Sequence, residues 1–324
     1  MELSILLTSH HRLLSVAAML DVFQSVNRYF TEAGKTPFFD IQLLYGEESR
    51  NKHGYSDYIT KPVTEVERTD LILIPAFASE DIRTLISENR EMIQWLHGQY
   101  KQGVEIASFC TGAFLLGASG LLNGRKATTH INATTAFANS FPNVLLQARE
   151  ILTEDGGVYT SGGATNSFHL MLHLIKKYCG IETAIYISKM FAIDMDREQQ
   201  ACYGTFTPNR DHGDELVKGI EQYIHEMYPE IHTIEEIVSE VPSSRRNMVR
   251  RFKKATGVTP IVYLQKIRME AAKKMLEQTN KSIMEVMLEV GYRDEKSFRK
   301  LFRKNTGTTP ISYREKFKGV VLNA

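Results

Sequence analysis

Over the first 195 residues, short β-branched apolar runs alternate with longer stretches whose apolar positions recur every three or four residues. The runs at residues 3–7, 39–45, 70–75 and 104–109 predict strands, and the periodicity over 14–30, 81–100 and 165–178 predicts helices. Strands separated by helices of that length pair in parallel, so the expected architecture is an α/β three-layer sandwich. Residues 145–163 predict a small extra hairpin turning at Asp155-Gly156-Gly157. From Met195 to Asp214 the periodicity is lost and Gly204, Pro208, Asn209 and Gly213 appear, which marks a linker over 196–212. Beyond it, residues 213–324 carry only helical spacing, with Pro242, Pro260 and Pro310 at predicted helix boundaries. The expected organisation is thus an α/β domain over 1–195, the linker, and an all-α domain over 213–324.

Charge sharpens that division. The 324 residues carry a formal net charge of +1, which taken alone argues against a nucleic-acid partner. Residues 1–212 hold 18 Lys+Arg against 23 Asp+Glu, whereas residues 213–324 hold 21 against 15, so an acidic domain is joined to a basic one. Cys110, Cys179 and Cys202 form no C-x-x-C pair, which indicates neither a zinc site nor a disulfide framework. The apolar run from Leu13 is interrupted at Asp21, too short for a membrane span or a signal peptide. No membrane partner, no metal and no cofactor are expected, and a cytoplasmic location fits.

The basic domain contains an internal repeat. FKKATGVTPIVY at residues 252–263 recurs 50 positions later as FRKNTGTTPISY at 302–313, with eight of twelve positions identical. Each copy follows a short helix, a Gly- or Pro-containing turn and a second helix, so two helix-turn-helix motifs are predicted at about 233–256 and 282–306. Ser244 and Asp294 are placed to cap the second helices. Met248 and Phe252, like Phe298 and Phe302, form a core face. The opposite face carries Arg246, Val249, Arg250 and Lys253 in one copy and Lys296, Arg299, Lys300 and Arg303 in the other. A cationic stripe on a single helix ordinarily marks a solvated face. Here it falls on the helix after the turn in both copies, and residues 244–254 contain six cations and no acid. Phosphates and guanine edges suit such a surface. The helix between the copies, residues 261–278, spans roughly 27 Å at 1.5 Å per residue, close to the roughly 34 Å between successive major-groove faces.

These features resemble the AraC/XylS family of DNA-binding domains, down to the Gly-x-Thr-Pro-x-x-Tyr pattern after each second helix and the closing Pro310-Ile311-Ser312-Tyr313-Arg314. The resemblance implies promoter binding, with base contacts at Arg246, Val249 and Arg250 in the first motif and at Glu295, Lys296 and Lys300 in the second. Val249 stands where relatives often carry a polar residue, which implies an apolar contact there.

In the acidic domain the informative stretch is Ile106-Ala107-Ser108-Phe109-Cys110-Thr111-Gly112-Ala113-Phe114, a buried-type strand running into an apolar helix with Cys110 at the turn. Small residues at 108 and 112 are what a sharp strand-to-helix elbow requires. Twenty residues on, Ala127-Thr128-Thr129-His130 ends a further predicted strand, and neighbouring strand ends in an open sheet meet in one crevice. Cys110 and His130 are therefore a candidate pair, vestigial or active, and Cys110, Thr111, Gly112 and His130 a candidate ligand pocket. A solitary buried thiol is usually inert, and Thr128 and Thr129 read as ordinary strand residues.

This half resembles the class I glutamine-amidotransferase-like superfamily, closest to its PfpI-like branch, which implies a flavodoxin-like, amidotransferase-like sandwich. Enzymes of that branch use a Glu near the first helix, and the matching position here is Ser15 or a neighbour; no carboxylate occurs between Glu2 and Asp21. Both halves together resemble the GlxA-like subgroup of AraC regulators. The expectation is a bacterial transcription factor that is not an enzyme. Its implied partners are double-stranded promoter DNA, a small-molecule effector, a second copy through the first domain, and RNA polymerase. The competing expectation is a cysteine-dependent amidohydrolase or glyoxalase-like activity.

Overall fold

The structure, a computed structural model, describes residues 1–47, 58–79, 81–163, 165–195, 200, 203–206, 208, 212–239 and 243–318. Most of the expected linker, together with Cys202 and Pro242, lies outside the described residues. The chain divides into two compact units, Met1–Gln200 and Ala201–Ala324.

In the first unit β1 (Glu2–Leu6) leads into α1 (Leu13–Glu32), followed by β2 (Asp40–Tyr45), β3 (Ile59–Pro62), β4 (Leu71–Ile74), α2 (Ile82–Glu88), α3 (Arg90–Lys101) and β5 (Glu105–Ser108). Then come α4 (Ala113–Ala118), β6 (Lys126–Ala127), α5 (Thr134–Ser140), β7 (Leu145–Leu146), β8 (Leu152–Asp155), β9 (Val158–Ser161), α6 (Asn166–Cys179) and α7 (Ile181–Met190). Seven strands form one sheet in the order β3-β2-β1-β4-β5-β9-β8, and every neighbouring pair is parallel except β8 and β9. Strand residues are apolar toward both faces, as a sheet covered on both sides requires. Leu3, Ile5, Leu71, Leu73 and Ala107 pack with residues of α1, α6 and α7, and Leu6, Ile72, Ile74 and Ile106 pack with residues of α3 and α4. The three-layer sandwich is the architecture expected from the alternating pattern.

Three local expectations are corrected. The helix predicted over 81–100 is two helices, because Asn89 turns inward at their junction: its Oδ1 accepts from the Ser9 amide (2.8 Å) and its Nδ2 donates to the Leu85 carbonyl (2.8 Å). The hairpin is β8 and β9 alone and forms the edge of the main sheet, while β7 pairs with β6 in a separate two-stranded ribbon. The strand expected to end at His130 is therefore not a main-sheet strand, and the neighbour of β5 is β9.

The second unit is helical: α8 (Glu215–Met227), α9 (Ile234–Ser239), α10 (Arg245–Thr256), α11 (Pro260–Gln278), α12 (Ile283–Glu289), α13 (Glu295–Thr306) and α14 (Pro310–Phe317). The sequence repeat is a structural repeat. Gly257 and Gly307 end α10 and α13 with φ of 79° and 74°, a left-handed conformation that explains why glycine recurs at both positions. Thr256 and Thr306 each donate to a carbonyl one turn back, Phe252 and Phe302 respectively, at 2.8 and 2.9 Å. Phe252 meets Tyr263 at 5.3 Å and 88°, and Phe302 meets Tyr313 at 5.4 Å and 85°.

Each copy has its own core and α11 serves both: Tyr263, Leu264 and Ile267 belong to the first, Met269, Ala272 and Leu276 to the second. Between these sets lies buried Arg268, whose Nε donates to the Tyr228 carbonyl (2.7 Å) and whose Nη2 donates to the Ile231 carbonyl (2.6 Å). No helix among the described residues is long and apolar enough to cross a membrane.

Candidate functional site

The two second helices, α10 and α13, are capped as their sequences require. The Ser244 hydroxyl accepts from the Asn247 amide and the Asp294 carboxylate from the Ser297 amide (2.7 Å); bonds from the Ser297 hydroxyl, and then from its amide, hold Asp294 below the usual carboxylate range. Ser282 and Glu285 form a reciprocal capping box at the start of α12. Met248, Phe252, Phe298 and Phe302 are fully buried, and that fixes which faces point outward. Arg246, Arg250, Lys253, Lys296, Arg299, Lys300 and Arg303 are exposed, while Val249 is half-buried against the first core.

The cations are less free than the sequence implied. Of the six in residues 244–254, Arg245 pairs with Glu235 (2.9 Å) and Arg251 holds Asp214 through two bonds of 2.7 and 3.0 Å. Their acids lie on α9 and at the N-cap of α8, which a local reading of the sequence does not reveal. Arg250 donates to Asn247 Oδ1 (3.0 Å). In α13, Arg299 is paired with Glu295 one turn back (2.5 Å), so two residues expected at the DNA surface engage each other.

In the first unit, Cys110 sits in the tight turn Cys110–Gly112 between β5 and α4, with φ of 55°. A non-glycine residue in that region is strained, and such strain clusters at functional positions. Gly112 is needed by close approach: a Cβ there would lie 2.7 Å from the carbonyl oxygens of both Ile74 and Pro75. The Thr111 hydroxyl knits the turn to the loop after β4, accepting from the Phe77 amide (2.9 Å) and donating to its carbonyl (3.0 Å). Thr129 donates to the Cys110 carbonyl (3.0 Å), and Thr128 bonds Thr160 and the Glu150 carbonyl. Both threonines follow β6 rather than lie in it, and both are structural.

Cys110, Thr111 and His130 line one cavity of about 620 Å³, whereas Gly112 is not among its lining residues. The other walls come from Arg12, Leu13, Leu14, Ser15, Ala18, Ala76, Thr165, Ser167 and Phe168. Ser15 is expected at the position of the family's Glu, but Arg12 is not foreseen from the sequence, although it follows the carboxyl end of β1, where open parallel sheets place their sites. Ser15 accepts from the Ala76 amide (3.0 Å), and no carboxylate lines the cavity among the described residues.

His130 Nδ1 accepts from the Asn132 amide (3.1 Å), so the neutral ring carries its proton on Nε2. Burial, reinforced by the positive charge of Arg12, holds His130 below its ordinary value. Its neutral form is thus a hydrogen-bond donor through Nε2 and lacks a free basic nitrogen. Next to the threonines, buried Gln200 is fully bonded: its Oε1 accepts from the Gly163 amide and Asn166, and its Nε2 donates to Thr128 and to the Thr129 and Ala148 carbonyls. Among the described residues no cluster of three or more His, Cys, Asp or Glu side chains is arranged to hold a metal ion.

Comparison with known proteins places both units. Residues 5–177 match the DJ-1/PfpI family and residues 237–316 match a helix-turn-helix domain. The HTH-type transcriptional regulator CdhR of Pseudomonas aeruginosa is 31% identical over 215 residues, covering 64% of this chain and 62% of that protein. The HTH-type transcriptional regulator GlxA of Rhizobium meliloti is 26% identical over 204 residues, 60% of each. Isonitrile hydratase of Pseudomonas putida is 30% identical over 128 residues, 38% of this chain and 53% of that enzyme. The matched region thus spans less than two thirds of each relative. The chain belongs to the DJ-1/PfpI family and joins that domain to a helix-turn-helix domain.

Proposed function

We propose that the chain is a sequence-specific transcriptional regulator, in which the helical unit reads promoter DNA and the DJ-1/PfpI unit is a non-catalytic effector sensor that also carries homodimer contacts. RNA polymerase is a further partner under this reading. The observation that carries it is the duplicated helix α10/α13, with the same cap, the same left-handed glycine, the same ring pair and an exposed cationic face in both copies. One such face is a solvated surface; two, on motifs that share α11 in their cores, suit adjacent major-groove turns. Arg246, Arg250 and Lys253 with Lys296, Lys300 and Arg303 are the proposed contacts, and Arg299 and Glu295 act as a pair. Selection of bound fragments from random DNA by the full chain tests the reading. The expected product is one enriched sequence with two half-sites about one helical turn apart; an unenriched pool overturns it.

A cysteine-dependent amidohydrolase or glyoxalase-like activity is favoured by the strained Cys110 elbow. Against it stand Ser15 in place of a carboxylate and the His130 tautomer, which offers no base for the thiol proton. Methylglyoxal or amide turnover that Cys110→Ser abolishes would favour the enzyme.

A further inference from the structure

The cavity beside Cys110 has a charge pattern that selects its occupant. Among the described residues its wall contains one guanidinium, that of Arg12, which has no carboxylate partner there, and no acidic side chain. Across from it His130 turns its protonated Nε2 away from the Asn132 amide. The Arg12 guanidinium and the neutral His130 ring are both donors there, beside the hydroxyls of Ser15, Thr111, Thr165 and Ser167. Beside them Leu13 and Leu14 are 70% and 69% exposed, an unusual placement for large apolar side chains, and Phe168 adds an aromatic wall.

We infer that this cavity takes a small organic anion, with a carboxylate-type head on Arg12 and His130 and an apolar body against Leu13, Leu14 and Phe168. A guanidinium offers the planar two-donor fork that a carboxylate accepts. Among the described residues a cationic ligand meets one unopposed positive charge and no acceptor carboxylate. The volume, about 620 Å³, lies in the range of small-molecule sites. The inference names the ligand class of the sensing site and so rests on the sensor reading.

The thiol of Cys110 provides the test, because alkylation reports on the cavity whether or not the unit senses anything. The full chain is treated in parallel with iodoacetate and iodoacetamide, and the rate at Cys110 is followed by peptide mass spectrometry. The ratio of the two rates cancels the thiolate population and leaves the preference for the charged reagent. Replacing Arg12 by Gln should lower the iodoacetate-to-iodoacetamide ratio about fivefold at low salt, the effect of one unit charge a few ångströms away in a half-wet site. Arg12→Lys should keep most of it. Arg12 is exposed and its side chain holds no structural bond, so both variants fold.

Millimolar hexanoate should slow iodoacetamide at Cys110, while hexylamine and inorganic phosphate should not. An unchanged ratio in Arg12→Gln, or protection by hexylamine or phosphate equal to that by hexanoate, overturns the inference. If the ratio and the hexanoate protection behave as stated but hexanoate leaves DNA binding unchanged, the anion site stands and the sensor role alone falls.

Discussion

The guanidinium of Arg268 lies 5.2 Å from the ring of Tyr292, so one buried side chain on α11 touches the turn of the second helix-turn-helix while bonding two carbonyls, Tyr228 and Ile231, in the segment from α8 that leads into the first. Beside it Gly291 has φ of 85°, and a Cβ there would lie 2.4 Å from the Pro229 carbonyl oxygen and 2.7 Å from Arg268 Nη2. The two motifs are joined through this contact as well as through α11.

Arg268→Met should therefore cost about 1–3 kcal/mol by leaving two buried carbonyls unpaired. Gly291→Ala should cost on the order of 1–3 kcal/mol through strain and collision. Urea unfolding measures both. At concentrations where Arg268→Met is still folded, it should lose more affinity for a two-half-site operator than for either half-site alone.

At the DNA surface, Arg250→Ala and Lys300→Ala should each weaken operator binding by about 1–3 kcal/mol if they contact bases. Glu295→Gln should act in the opposite sense on nonspecific DNA, since it releases Arg299. The pair is exposed and worth only about 0.3–0.5 kcal/mol to the helix, so folding should not change. The expected result in a salt titration is a steeper slope, by about 0.9 if Arg299 gains one phosphate.

Acid should destabilise the first unit early. Burial, with Arg12, holds His130 below the ordinary imidazole value of 6.5, and burial does the same for His11. The unfolded chain then takes up protons before the folded one. The stability that these residues contribute is present above pH 6.5 and is lost as pH falls from there through their folded values. Thermal melts from about pH 8 to about pH 5 should show this slope, and His130→Gln should flatten it. Asp214, held low by its bonds from Arg251, responds only in the carboxylate range.

The two cysteines of the first unit should differ in their response. Burial pushes Cys179 up to about 12, so its thiol should resist alkylation in the native protein and react once the chain is unfolded. Native labelling of Cys179 at a rate near that of a free thiol would contradict this.

Architecture was legible in the sequence wherever it depended on periodicity or on repetition. Strands β1, β2, β4 and β5, helix α1 and both helix-turn-helix motifs follow from spacing, and the 50-residue offset predicts the matched ring pairs. What stayed hidden depends on contacts remote in sequence. Nothing local marks Asn89 as a helix break, because its partner is Ser9 on the other side of the sheet's first crossover. Strand β3 and helix α7 are short and lack a distinctive period. In the site, Cys110 was visible from its elbow, but Arg12 enters only because β1 and β5 both point their carboxyl ends at one crevice. Likewise the acids that neutralise Arg245 and Arg251 sit on α9 and ahead of α8.

Gln200, the last residue of the first unit, is 1% exposed and commits its whole amide to Thr128, Thr129, Ala148, Gly163 and Asn166, with its backbone amide on the Arg149 carbonyl (2.9 Å). Thr129 in turn holds Cys110. The point of departure toward the second unit is thus moored to the same threonines that brace the cavity floor. The Cys110 turn is thus two hydrogen bonds from Gln200, its carbonyl accepting from the Thr129 hydroxyl and the Thr129 carbonyl accepting from the Gln200 amide.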